Sequence, residues 1–185
     1  MRVTPRKAVS MIVSLSAAMA LVACGSDSDD KTTGTTSGGN TNINLTAASF
    51  TADFSAMAQL KALAAQGKGK IAVLLPDTTS SARYESFDRP YLTKAFEAAG
   101  LTSKDFKIDN AQGSASTMQT QAEAAITDGA SVLLVDAIDS GSGAAIEANA
   151  TAKGVKVIDY DRLVKGGAPG RVYVSFDNVK VGQLI

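Results

Sequence analysis

"IAVLLPD", Ile71 to Asp77, is the stretch on which the fold turns. Ile71 to Leu75 are apolar without interruption and Pro76 closes the run, the pattern of a short strand buried on both faces. Downstream, "RPYLTKAFEAAG" places Tyr91, Leu92, Ala95, Phe96 and Ala99 on one helical stripe. Pro90 stands in its first turn and Gly100 at its stop. One buried strand and one amphipathic helix are therefore expected in succession.

The same unit recurs to the end of the chain. "FKID", Phe106 to Asp109, reads as a strand; the helix after it is expected to begin at Ser116, with Ser116 and Gln119 at capping-box spacing, and to end at Gly129. "SVLLVD", Ser131 to Asp136, is a further buried strand, and an alanine-rich helix follows from about Gly143 to Lys153. "VKVID" and "RVYVSF" are the last two strands, and "DNVKVGQLI" opens a helix. Alternation of this kind predicts an α/β fold, a doubly wound parallel sheet of strand order 2-1-3-4-5. Ligands in such sheets sit beyond the carboxyl ends of the strands where the winding reverses. The loops after Leu75, Val135 and Ile158 thus become the ones to interrogate.

Upstream of the sheet, Phe54, Met57, Ala58, Leu60, Leu63 and Ala64 recur at helical spacing, so residues 49–67 are expected to form an N-terminal amphipathic helix. Further back, Arg2, Arg6 and Lys7 precede an apolar run from Ala8 to Ala23 that ends at Cys24, the only cysteine. A charged segment followed by a short apolar one reads as a signal peptide over 1–23. Between Gly25 and Asn42 no large apolar residue occurs, so 24–48 is expected to be a flexible tether.

Composition removes several functions. Lys plus Arg equals Asp plus Glu at 18 each in 185 residues, which leaves no basic surplus for nucleic acid. Without histidine, and with one cysteine, Cys/His zinc sites, Ser-His-Asp triads and structural disulfides are out of reach. The loop after the first strand, "PDTTSSARYESFD", lacks both GxGxxG and a Walker lysine pattern, so no nucleotide cofactor is expected.

What the three loops do carry is Arg83 and Tyr84, then Asp136 and Asp139, then Asp161 and Arg162. Carboxylates accept from paired hydroxyls, Arg donates to oxygens, and an aromatic ring stacks on C–H faces, so this set suits a sugar. The same residue types have plainer uses. Asp161 and Arg162 can form a surface ion pair, Tyr84 can pack, and Asp77, Asp136 and Asp139 can cap helices.

"KIAVLLPD", the Arg83-Tyr84 pair, "GASVLLVDAID", "GVKVIDYDR" and "YVSFDN" together resemble the periplasmic-type sugar-binding proteins that serve ABC importers, closest to the xylose-binding branch. "LVAC", Leu21 to Cys24, likewise resembles the lipobox of bacterial lipoproteins, which implies lipidation of Cys24 and anchoring on the outer face of the cell membrane. The first resemblance implies a two-lobed receptor in which Asp161 and Arg162 bind sugar hydroxyls, Arg83 and Tyr84 clamp and stack, and Asn178 lies at the hinge or the ligand. It also implies an ABC permease as partner, a monomer, no metal and no catalysis. Residues 68–185 would be the N-terminal lobe, with the second lobe missing and the chain a fragment of a longer protein. A sugar-sensing lipoprotein serving a receptor kinase or chemoreceptor would have the same site. A carboxylate glycosidase would need two carboxyls about 5 to 9.5 Å apart, one with a raised pKa.

Overall fold

The computed structural model describes residues 43–185; the signal peptide, Cys24 and most of the tether expected from the sequence lie outside them. Five strands form one parallel sheet in the order β2-β1-β3-β4-β5. They are β1 (Lys70–Leu75), β2 (Phe106–Asn110), β3 (Ala130–Val135), β4 (Lys156–Tyr160) and β5 (Val172–Val174). The expected strand order is the observed one. Registers of Leu75 with Asn110, Leu74 with Val135, Val135 with Asp159 and Tyr160 with Val174 bring the carboxyl ends level.

The uninterrupted apolar run of β1 is explained by its two covers. Ala72 and Leu74 face one layer, where α4 (Ala115–Thr127) and α5 (Ser140–Ala152) supply Met118, Ala122, Ile146 and Ala150. Val73 and Leu75 face the other, with Tyr84 and with Leu92 and Phe96 of α3 (Arg89–Ala98). Each buried Leu or Val side chain contributes about 1.5–3 kcal/mol from removal of apolar surface from water. Gly143 lets α5 approach closely: a Cβ there would meet Val164 Cγ2 at 2.7 Å and the Ala137 Cβ at 2.9 Å.

Three expectations shift. The N-terminal helix is two single turns, α1 (Ser55–Ala58) and α2 (Lys61–Ala64), and not one continuous helix. Between them Gln59 and Leu60 donate to the carbonyls only three residues back, and Phe54 before α1 is left-handed at φ 59°. Isolated helices this short are marginal, and packing holds these: the Phe54 ring lies 6.0 Å from that of Tyr91 on α3, and Ala56 is buried. The cap of α4 is Ser114, which accepts from the Thr117 amide at 3.2 Å, while the Ser116 hydroxyl meets the Ser114 hydroxyl and caps no amide. The alanine-rich helix starts at Ser140, earlier than Gly143, because Asp139 caps it.

Beyond β5 the chain forms α6 (Asn178–Leu184), capped by Asp177. Val172, Val174, Phe176, Val179 and Leu184 leave apolar surface exposed along this edge. No helix among the described residues is long and apolar enough to cross a membrane.

Candidate functional site

At the carboxyl ends of β1, β3 and β4, three loops converge as the strand order requires. The loop after β1 enters a wide π-helical turn, Tyr84–Asp88, closed by the Arg89 amide on the Tyr84 carbonyl five residues back. Wide turns of this kind concentrate at functional sites. The loop after β4 turns sharply at Asp161, whose φ of 66° is a left-handed conformation that Asp tolerates better than most residues. Strand β5 holds that turn: the Asp161 amide donates to the Val174 carbonyl at 2.9 Å, and the Tyr173 hydroxyl donates to the Asp161 carbonyl at 3.2 Å.

Arg83 bridges the two loops. Its Nε donates to Asp88 Oδ2 at 3.1 Å and its Nη2 pairs with Asp161 Oδ2 at 2.9 Å. Asp88 Oδ1 accepts from the Tyr160 hydroxyl at 3.2 Å. Neither Arg83 Nη1 nor Asp161 Oδ1 makes a hydrogen bond among the described residues. One donor nitrogen of Arg83 and one acceptor oxygen of Asp161 thus stay free of protein partners among the described residues. They border a cavity of about 280 Å³ lined by Arg83, Asp88, Tyr160, Asp161, Val174, Ser175 and Phe176.

Arg162, its side chain 38% exposed, shares the Tyr84 ring with Arg83. Arg162 donates through Nη2 to the Tyr84 hydroxyl at 2.8 Å and through Nη1 to the Ala137 carbonyl at 3.1 Å. Its Nε lies 3.3 Å from Asp136 Oδ1, an ion-pair distance without hydrogen-bond alignment, so both Asp136 oxygens are buried and lack a hydrogen bond. Burial pushes the Asp136 carboxyl up to about 7, with Arg162 partly offsetting it. Tyr84 is only 3% exposed, and both guanidinium carbons stand over its ring, at 5.1 Å for Arg83 and 5.7 Å for Arg162. Burial and the neighbouring Asp88 raise the pKa of Tyr160.

Of the residues singled out in the sequence, Arg83, Tyr84, Asp136, Asp161 and Arg162 come together. Asp139 and Asn178 make no hydrogen bond or ion pair with them among the described residues. Asp139 is exposed, and its two oxygens accept from the Ser142 amide at 2.8 Å and the Ser142 hydroxyl at 2.6 Å, which hold its pKa down. Asn178 begins α6 and donates to the Phe176 carbonyl at 3.2 Å. Asp77 closes its own turn, accepting from Thr79 and Ser80.

Sequence reasoning passed over Asp88, which no strand end announces, and Phe176, the exposed ring that edges the cavity. It also passed over Glu147 and Arg171, which form a buried cluster with Asp159. Arg171 Nε donates to Asp159 Oδ2 at 2.9 Å and lies 3.5 Å from Glu147 Oε2; both carboxyls are fully buried. Asp159 Oδ2 accepts from the Val164 amide at 2.9 Å and Glu147 Oε2 from the Ala168 amide at 2.6 Å. This cluster pins the segment between β4 and β5. Burial first, then a bond to Asp159, pushes Glu147 up to about 7.

Another groove, of about 320 Å³, lies at the far end of the sheet between α2 and the starts of β1 and β3. Met57, Leu60, Phe96 and Leu101 make it mainly apolar, without the convergent polar groups of the crevice. Among the described residues no three His, Cys, Asp or Glu side chains are grouped to hold a metal ion.

A family model described as periplasmic binding protein domain matches residues 71–185, more than half of the chain. The multiple sugar-binding periplasmic protein SbpA of Azospirillum brasilense is 33% identical over 120 residues, which is 65% of this chain and 32% of that protein. The multiple sugar-binding periplasmic receptor ChvE of Rhizobium radiobacter is 36% identical over 121 residues, 65% of this chain and 32% of that protein. The D-xylose-binding periplasmic protein of Escherichia coli is 34% identical over 97 residues, 52% of this chain and 28% of that protein. Among solved structures, a carbohydrate transporter solute binding protein from Chloroflexus aurantiacus in complex with D-glucose superposes with a TM-score of 0.54 at 33% identity, covering 62% of this chain and 32% of that one. A Caulobacter myo-inositol binding protein bound to myo-inositol gives 0.54 at 27% identity, covering 62% and 37%. The chain spans about a third of the length of the curated relatives it matches.

Proposed function

Because the chain belongs to the periplasmic binding protein domain family, we propose that it is the sugar-reading lobe of a substrate-binding lipoprotein that delivers a monosaccharide to an ABC permease. The observation that carries this reading is the Arg83–Asp161 pair on the wall of the crevice, with Arg83 Nη1 and Asp161 Oδ1 free of hydrogen bonds among the described residues. Neighbouring sugar hydroxyls act as donor and acceptor in turn, which is what such a pair meets. Each charge-assisted bond contributes about 1.5–3 kcal/mol once water is excluded. Phe176 offers the ring that covers a C–H face, while Tyr84 supports the two guanidiniums from below. Arg162 keeps a second N–H on each terminal nitrogen for ligand oxygens. No covalent step is part of this reading.

The remaining parts follow from the resemblances. Residues 1–23 are the signal peptide, Cys24 carries the lipid, and 24–48 tether the lobe that begins near residue 68, with a second lobe closing the crevice. A pentose such as xylose is the first ligand to test. Thermal-shift titration of the full-length protein with aldopentoses and aldohexoses is expected to raise Tm with one or a few of them, and mass spectrometry to find acylated Cys24. No shift with any monosaccharide would overturn the sugar assignment.

A further inference from the structure

The crevice depends on where Arg83 points, and its backbone alone does not decide that. Arg83 is about one third exposed, and a long side chain in that setting has many rotamers. What restrains it is a carboxylate on each flank. Asp161 takes Nη2, and Asp88 takes Nε. Asp88 is itself restrained: its side chain is 13% exposed, and its other oxygen accepts from Tyr160 at the end of β4. The wide turn Tyr84–Asp88 makes this possible, because closing over five residues sets Asp88 one turn on from Arg83 while Tyr84 stays buried on Val73 and Leu75.

We propose that Asp88 is a positioning residue that fixes the Arg83 guanidinium between two carboxylates and so presents Nη1 to the ligand. The proposal rests on the sugar-binding reading. Asp88 takes both of its bonds from protein groups, Arg83 and Tyr160, and acts on the ligand through the arginine. Preorganisation of this kind strengthens binding by reducing the ordering that the ligand must impose.

The test is a double-mutant cycle on the full-length protein, titrated calorimetrically with D-xylose and with D-glucose. Asp88→Ala is expected to weaken binding about tenfold in the wild-type background and less than twofold when Arg83→Ala is already present. Asp88→Asn, which keeps an acceptor for Nε, is expected to recover part of the loss. An equal loss in both backgrounds would overturn the proposal, because the effect would then not pass through Arg83. A second measurement stands apart from any sugar. Hydrogen exchange of the Arg83 Nε–H, followed by ¹⁵N-resolved NMR, is expected to be slow in the wild type and at least tenfold faster in Asp88→Ala. Unchanged exchange refutes the positioning role even if neither sugar binds, whereas slow exchange with no binding of either sugar counts against the sugar reading alone.

Discussion

Asp159 and Asp161 stand two residues apart in "DYD" and do opposite work. Asp159 is fully buried, and one of its oxygens receives both Arg171 and the Val164 amide. Asp161 sits past the strand end in a left-handed turn and meets Arg83 at the rim of an open cavity. Chemically they form the same unit, a carboxylate with an arginine. Burial separates them. In the cluster of Asp159, Glu147 and Arg171 the surroundings are closed and every contact ties chain to chain. In the crevice, Arg83 Nη1 and Asp161 Oδ1 are among the groups that remain open.

The largest expected effect tests the closed side. Asp159→Ala removes the nearer carboxylate partner of Arg171 and the acceptor of the Val164 amide, which should destabilise the fold by about 3–5 kcal/mol. That is a large part of the roughly 5–15 kcal/mol of a typical domain. Chemical denaturation measures it, and a change under 1 kcal/mol would remove the distinction between the two aspartates. Next comes Asp161→Asn, which keeps a residue suited to positive φ. It should leave the denaturation midpoint nearly unchanged while weakening sugar binding by about 10- to 100-fold, the range of one charge-assisted bond. Wild-type affinity in that variant would return the rim to an ordinary surface ion pair.

A smaller effect appears in the pH dependence. The folded protein holds the Glu147 proton up to about 7, whereas an ordinary Glu loses it near 4.5. The folded state thus binds the extra proton between those values. This contribution to stability is full below the lower value and is lost as pH rises to the upper one. Asp136, raised from 3.8 to about 7, adds a slope of the same sign. Glu147→Gln should therefore flatten the fall in stability between pH 5 and 7 without abolishing it; an unchanged slope would show that Glu147 titrates normally. Smallest of all is Asp139→Ala. Loss of the α5 cap is expected to lower Tm by about 2–4 °C with sugar affinity unaltered. A loss of affinity instead would move Asp139 to the ligand side.

The sheet was legible because its signals are local. An unbroken apolar run such as Ile71 to Leu75 has to be covered on both faces, and Gly100, Gly129 and Gly154 close the helices with the positive φ expected at such stops. Caps were less legible. Ser114 and Ser116 offer the same hydroxyl, and only the path of the chain out of β2 decides which meets an orphan amide. The N-terminal segment shows the same limit: its apolar spacing marks Phe54 and Met57, which are half-buried, but it also marks Ala58 and Leu63, which are exposed, and misses the buried Ala56, because spacing does not register a left-handed residue or a break at Gln59.

In the crevice, the order of strands was enough to nominate Arg83, Tyr84, Asp136, Asp161 and Arg162 from sequence, since parallel strands deliver their following loops to one end. Alternation of strand and helix, the burial of β1 and the lack of any histidine are properties of composition and short-range pattern, and the chain determines them alone. The division of labour among like residues belongs to the tertiary structure. Position past a strand end singled out Asp161 and Asp139 in the sequence, but the sequence shows neither the partners of Asp161 and Asp159 nor that Asp88, and not Asp139, meets Arg83. The roles of these carboxylates divide only once the fold removes water from one and leaves it at another, because a carboxylate's pKa, partners and availability to a ligand follow from its surroundings.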